Sequence, residues 1–439
     1  MSSKITDFFE KSTIDSLARE SGFVKRERTI SGFDFLQTLL FSKFDNSKLS
    51  LESLAESFMK LHHKEITKQG IDQRFTEETV VFFKKLIEKF LGDFYINAPG
   101  IEFLKSFPEV RIKDSTCFQL PEEMADKYPG SGGASSKAAV RIQFEYDIKT
   151  GKVIDLSLHP FNTQDSVNAE SSLDDIAPNV LLLRDLGYIS TFVLKGIKER
   201  EAFYICRLKQ GASAFFLVDG AYQKMDFAKI WAYMKNNKLS KIEKEAYITT
   251  ELEKVRMIIE LMPEEVVEER IRKAEKEAKK KGRKLSKEYK SRARLNIFIT
   301  NISAEVLELE QIHSVYTLRW QIELVFKVWK SIGKIHKVKK MKQERFESYL
   351  YAKLLWLMLN WMIIWNIHSY LYNTHKKLLS FYKAFDSLKE YKDDFKFALR
   401  CGNKGLTEFL YDQIFCSCKF HVMEKKKKGS SLYNLTKIM

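Results

Sequence analysis

The stretch Tyr316-Thr-Leu-Arg319-Trp320-Gln-Ile-Glu323-Leu-Val-Phe-Lys-Val-Trp-Lys330 reads as one amphipathic helix, and the rest of the chain is interpreted from it. At about 100° per residue, Arg319, Glu323 and Lys330 fall within roughly 60° of Tyr316 around the axis. Leu318, Ile322, Val325, Trp329 and Ile332 gather on a separate apolar face. One polar stripe therefore carries an aromatic hydroxyl, a guanidinium, a carboxylate and an ammonium. Taken alone, it is also what an ordinary surface helix with i,i+4 charge pairing presents.

Two aspartates upstream give the stripe a chemical meaning. Val110-Arg-Ile-Lys-Asp114-Ser-Thr alternates apolar and polar as a strand does, and Asp185 closes the short apolar run Val180-Leu-Leu-Leu-Arg. A carboxylate at the end of a buried strand is costly unless it is paired or binds a cation, although such an aspartate also serves as a cap. Two of them plus a helical glutamate supply oxygen ligands for two Mg²⁺ ions about 4 Å apart. That arrangement stabilises the attacking and the leaving oxygen of a phosphodiester displacement. Arg319 and Lys330, on the glutamate's own helix, then suit phosphate oxygens.

Before the first aspartate the chain reads as helical. Leu51, Leu54, Ala55, Phe58 and Met59 recur at helical spacing, with Ser50 placed to cap. A turn is expected at Thr67–Gly70, and a further helix from Thr76 carries Val80, Phe83, Ile87 and Phe90. Helix, turn, helix suits DNA binding, though many helical domains share it. After Pro108, Ala139–Tyr146 and Lys152–Leu158 form a predicted hairpin about Asp147-Ile-Lys-Thr-Gly151. A helix near Ser166–Ile176, the Val180–Asp185 strand, a helix over Ser190–Glu199 and the strand Phe203–Leu208 complete an α/β order with a mixed sheet. An insertion follows, with strands at Ala214–Val218 and Val255–Leu261 and a charged helix over Glu264–Arg294, before the Leu295–Thr300 strand. Gly130-Ser-Gly-Gly133 lacks the ending of a phosphate-binding loop and reads as a flexible loop. Lys425–Lys428 opens a basic tail.

Composition narrows the partners. The 439 residues hold 74 Lys and Arg against 58 Asp and Glu, a formal charge of +16, which favours a polyanion, either nucleic acid or an anionic membrane surface. The longest apolar stretch, Leu354–Ile367, is interrupted by Asn360 and Asn366 and is short for a membrane span. The first residues show no apolar signal segment. Five scattered cysteines argue against a disulfide framework and for a reducing cytoplasm. Cys416-Ser-Cys418 with His421 has no second ligand pair at zinc spacing.

Tyr316-x2-Arg319-x3-Glu323-x6-Lys330 matches the YREK signature of the insertion-sequence-four family of DDE transposases without a gap, and the chain resembles that family from about Ser16 through the helices after Lys330. Asp114-Ser-Thr resembles the first catalytic segment, Asp185-Leu-Gly-Tyr188 the second, and Thr300-Asn301 the segment before the glutamate helix. The resemblance implies an RNase H-like catalytic core with a β-rich insertion, flanked by an N-terminal helical domain and C-terminal helices. The domains are then residues 1–98 (helical, DNA-binding), 99–208 (core, first part), 209–300 (insertion), 301–345 (core, glutamate helix) and 346–439 (C-terminal helices and tail). It implies Asp114, Asp185 and Glu323 as catalytic metal ligands, two Mg²⁺ ions with Mn²⁺ able to substitute, and Tyr316, Arg319, Trp320 and Lys330 as DNA contacts. The implied partners are double-stranded DNA at the element ends and target, and a second copy in a synaptic homodimer. No membrane is expected, and the implied location is the bacterial cytoplasm, at the nucleoid when DNA is bound. Some relatives pass through a DNA hairpin and hold a flipped base with tryptophan. Here no tryptophan directly precedes Ile297-Phe-Ile-Thr300, and Trp231 substitutes only if the insertion folds it inward. Two other readings are a DNA-binding relative without catalysis, which loss of a carboxylate would betray, and another RNase H-like nuclease, which the YREK spacing disfavours.

Overall fold

Residues 1–26, 30–41, 50–93, 104–131, 137–208 and 211–423 are described by a computed structural model. The N-terminal periodicity folds as α1 (Ser2–Phe8), α2 (Lys11–Glu20), α3 (Gly32–Phe41), α4 (Leu51–His62), α5 (Lys68–Asp72) and α6 (Glu77–Asp93). Next come β1 (Val110–Leu120), β2 (Ala138–Asp147), β3 (Val153–Pro160), α7 (Asp165–Ser171), β4 (Leu181–Arg184), α8 (Thr191–Glu199) and β5 (Phe203–Arg207). The insertion holds β6 (Ala214–Val218), β7 (Ala221–Lys224), α9 (Phe227–Asn236), β8 (Lys241–Ile248), β9 (Glu253–Leu261), α10 (Glu264–Lys280) and α11 (Lys287–Arg292). The chain then continues through β10 (Leu295–Thr300), α12 (Leu309–Thr317), α13 (Gln321–Ser331), α14 (Gln343–His375), α15 (Phe381–Glu390), α16 (Lys392–Arg400) and α17 (Gly402–Phe420).

Local chemistry explains several of these boundaries. The Ser50 hydroxyl accepts from the Ser53 amide at 3.0 Å while the Ser50 amide donates to the Ser53 hydroxyl, a reciprocal cap that starts α4. The turn expected at Thr67–Gly70 is instead a short helix, because the Thr67 hydroxyl accepts from the Gly70 amide at 3.0 Å and caps α5. The charged helix expected to run unbroken over Glu264–Arg294 is two helices, α10 and α11, parted around Gly282 at φ 65°. Lys425–Lys428 and Gly132–Gly133 lie outside the described residues.

The chain divides into two compact units. One comprises Met1–Gly100, Ser115–Asn162 and Gln321–Lys428. Its β2–β3 hairpin is antiparallel, with Val140 opposite Pro160 and Tyr146 opposite Val153. The hairpin turns where expected, because the Asp147 carboxylate accepts from the Lys149 and Thr150 amides, both at 3.1 Å. Trp329, fully buried on α13, meets Phe144 of β2 at 4.8 Å between ring centroids, edge to face. Helix α14 runs straight through the two asparagines that seemed to interrupt it. Their side-chain amides donate to the carbonyls of Trp356 and Met362 four residues back, so neither polar group is left bare. This helix is long and apolar enough to cross a membrane, but 94% of its apolar window is buried inside the protein. It is a core helix.

Gly151 ends the hairpin turn at φ 72°, and a Cβ there would stand 2.7 Å from the Trp365 ring. Gly151→Ala is therefore expected to cost roughly 2–4 kcal/mol, from left-handed backbone strain plus overpacking. Chemical denaturation of the purified variant checks this. A loss below about 0.5 kcal/mol, the scale of a neutral surface change, would contradict the close packing.

The other unit comprises Ile101–Asp114 and Thr163–Trp320 among the described residues. Its strands run in the order β1-β4-β5-β10-β9-β8-β6-β7. Strands β1, β4 and β5 are parallel, and β10 joins β5 antiparallel, which makes the sheet mixed. Leu182, Tyr204, Met257 and Ile297 belong to the apolar cluster on which α7 and α8 contribute Ala169, Val193 and Ile197. Asn301 fastens the end of β10 to β5: its amide nitrogen donates to the Ala202 carbonyl at 2.8 Å, and its oxygen accepts from the Tyr204 amide at 2.9 Å.

Candidate active site

Asp185 follows the end of β4, whereas Asp114, expected to close its strand, lies inside β1, which continues to Leu120; the parallel pairing of β1 and β4 brings the two aspartates together. The register sets Ile112 beside Leu183 and Lys113 beside Arg184. Asp114 and Asp185 each follow that last matched pair. Because side chains alternate along a strand, both belong to the face that carries Ile112 and Leu183. Asp185 opens a 3-10 turn over Leu186–Tyr188 and its carboxylate makes no capping bond, so the simplest structural use of that residue is absent. Both aspartates are half-buried.

The Arg319 guanidinium is buried and donates to Asp114 Oδ2 at 2.9 Å. It also stands 5.9 Å from the centroid of the Tyr316 ring. Tyr316 is buried against Phe298, 5.1 Å between centroids. Its hydroxyl has no hydrogen-bond partner among the described residues. Burial pushes the Tyr316 hydroxyl well above the ordinary phenol range, a rise that Arg319 opposes and the charge of Asp185 increases. Burial likewise raises the Cys206 thiol, with Asp185 adding to it. Asp114, Asp185, Tyr316 and Arg319 therefore share one neighbourhood of the second unit.

The quoted stretch is not one helix. Leu318–Trp320 winds as a 3-10 turn between α12 and α13, so a uniform 100° step does not carry from Tyr316 to Lys330. The apolar face is as expected, with Leu318, Ile322, Val325, Trp329 and Ile332 all buried. The polar stripe is not uniformly open: Tyr316 and Arg319 are 4% and 6% exposed, whereas Trp320 is 56% exposed. Glu323, exposed in the first turn of α13, and Lys330, in its last, belong to the first unit. There the Lys330 ammonium donates to the Cys117 carbonyl at 3.2 Å.

Three residues escaped the sequence reading. His313 of α12 pairs with Glu260 of β9 at 2.7 Å and anchors the helix that presents Tyr316. Phe298 backs the Tyr316 ring, and Arg207 stands close enough to act on the Tyr316 hydroxyl electrostatically. None carries a local signal, since each acts through a partner distant in sequence. Trp231 is half-buried, with Arg294 at 4.2 Å and Lys235 at 5.1 Å from its ring. Both cations lie over this ring.

Adjacent carboxylates repel unless a positive charge compensates them, and their oxygens are the donors that hard divalent cations prefer. Asp114 and Asp185 fit such an ion on that ground. Among the described residues, no group of three or more His, Cys, Asp or Glu side chains is gathered at metal-binding spacing.

A mixed α/β sheet with two aspartates one residue past the matched register of adjacent parallel strands is the core of an RNase H-like enzyme. The chain belongs to the family described as transposase DDE domain, whose model matches residues 105–359. It is 29% identical over 455 aligned residues to the transposase for insertion sequence element IS1151 of Clostridium perfringens, covering all of this chain and 96% of that protein. It is 31% identical to the transposase for insertion sequence element IS231C of Bacillus thuringiensis subsp. berliner, over 91% of this chain and 87% of that one. The transposase for IS231E of Bacillus thuringiensis subsp. finitimus is 30% identical over 96% of this chain and 90% of its own length. The chain is thus an insertion-sequence transposase, an enzyme of DNA cleavage and strand transfer that depends on divalent metal.

Proposed function

We propose that this transposase binds the ends of its own insertion sequence, hydrolyses phosphodiester bonds there and joins the freed 3′-hydroxyl to target DNA by cut-and-paste transposition. Asp114, Asp185 and Glu323 are the ligands of two Mg²⁺ ions in this reading, with Mn²⁺ able to replace them. The observation that carries it is the β1–β4 register, which puts two half-buried aspartates side by side on one face. When bound, the ions supply charge stabilisation to the attacking and leaving oxygens. Arg319 holds the Asp114 carboxylate in place and compensates its charge. Tyr316, Trp320 and Lys330 complete the DNA contacts, Trp320 through its exposed ring. Residues 1–98 contribute DNA binding, and a homodimer synapses the two ends.

Incubating the protein with Mg²⁺ and the DNA that flanks its gene, then mapping the cut strands, tests the reaction. Breaks at the element ends that leave a 3′-hydroxyl are expected. Absence of metal-dependent breaks at those ends would sink the proposal. The charge of +16 also predicts a binding constant that falls linearly on a log–log plot against salt, by about 0.9 per phosphate neutralised. Fluorescence anisotropy between 50 and 200 mM salt, roughly the range over which such losses are large, reads that slope. A flat line would exclude phosphate contacts as the basis of binding.

A further inference from the structure

Beside β5 and β10, the two insertion helices α10 and α11 wall a cleft of about 320 Å³ whose polar lining is mainly cationic. Arg207, Arg270, Lys273 and Arg292 line it, with Glu277 as the lining carboxylate and Tyr289 as the lining hydroxyl. The size is that of ordinary ligand clefts.

Two of these charges have no carboxylate among the described residues to compensate them. Neither Arg207 nor Arg270 forms an ion pair with a described carboxylate, and Arg270 makes one long bond, 3.4 Å, to the Ala293 carbonyl. Burial lowers the pKa of Arg270, and the neighbouring charge of Arg207 lowers it further. Arg292 is fixed against the Phe227 ring at 4.5 Å and donates to the Ala212 carbonyl at 3.1 Å. Burial pulls it down to about 10, partly offset by Glu288, so it remains a cation at neutral pH. Lys273 pairs with Glu269 at 2.6 Å, but that pair is exposed and weak enough to be exchanged. Half-buried guanidiniums that repel one another around an open cleft are compensated best by an anion from outside.

We propose that this cleft binds a backbone phosphate of DNA, with Arg207, Arg270, Lys273 and Arg292 as its cationic lining. The inference rests on reading the chain as a DNA-binding transposase, and adds to it a contact made by the insertion. A phosphodiester presents the oxygen acceptors that guanidinium forks match.

Full-length wild-type protein, Arg270→Gln and Arg270→Gln/Lys273→Gln are titrated with an element-end duplex across salt concentrations. Lys290→Gln, which removes an exposed charge on α11 outside the cleft, is the control. Arg270→Gln is expected to weaken binding about tenfold, as loss of a charge-assisted bond does. Its salt slope should be shallower by about 0.9, the double variant's by up to about 1.8, and the control's unchanged. A wild-type slope in the double variant overturns the site, as does an equal change in Lys290→Gln, which would indicate only a general field. If wild-type protein binds no duplex, the transposase-end reading falls together with this inference. Calorimetry with inorganic pyrophosphate separates the sources of phosphate. Saturable pyrophosphate binding lost in Arg270→Gln, beside an unchanged DNA slope, would assign the cleft to a small phosphate and overturn the proposal.

Discussion

Asp114→Ala is expected to abolish DNA cleavage while leaving DNA binding intact. The carboxylate lies one residue past the last matched pair of β1 and β4, beside Asp185, where the proposed function makes its oxygens ligands of a divalent ion. Losing one ligand of the proposed two-ion site would remove several kcal/mol of transition-state stabilisation, roughly a thousandfold or more in rate. Binding loses nothing, because removing a negative charge near the phosphates weakens no attraction to them. Asp114→Asn refines the result. It keeps an oxygen to accept the Arg319 hydrogen bond but removes the charge, so a fold supported by that bond survives while metal binding fails. End-nicking assays of both variants, with anisotropy to measure binding, decide the matter. If either variant nicks element ends at the wild-type rate, Asp114 is not a metal ligand.

Asp114 looks like a strand end in sequence, but β1 runs on to Leu120, and what sets the residue apart is that its partner strand β4 stops at Arg184, a tertiary fact. Asp185 is legible, because it closes the continuously apolar run Leu181–Leu183 and a carboxylate there has to be explained. The hairpin was legible for a similar reason, since Asp147 and Gly151 supply the turn chemistry that its strands need. Strand β7, Ala221–Lys224, was not legible: all four residues are exposed and carry no alternation of burial. It exists by pairing with β6, which is a tertiary fact. The 3-10 turn at Leu318–Trp320 was hidden as well, because those residues fit a helical wheel and nothing in their types marks the change. Its consequence is that Arg319 points to a carboxylate 205 residues earlier in the chain rather than along an open stripe. Contacts of that span lie beyond local periodicity, and so did the burial of Tyr316.

Replacing Arg319 carries the second large effect, and its buried ion pair alters what the effect means. Had Arg319 been an exposed phosphate contact alone, Arg319→Gln would weaken binding to DNA and spare the protein itself. In the structure the guanidinium is buried, bonded to Asp114 and adjacent to the Tyr316 ring. Removing it takes a charge-assisted hydrogen bond from a half-buried carboxylate, at a cost of about 1–3 kcal/mol. That cost falls on the geometry of Asp114, so end processing should drop roughly 10- to 100-fold, with the loss in the cleavage rate at saturating DNA. Arg319→Lys restores charge but not the planar fork that also faces Tyr316, and should recover only part of the rate. Single-turnover cleavage at several DNA concentrations separates the two origins. A defect that vanishes at high DNA concentration would assign Arg319 to phosphate binding alone. A rate that stays low at saturation, and rises in Arg319→Lys, is the signature of a residue that positions the Asp114 carboxylate.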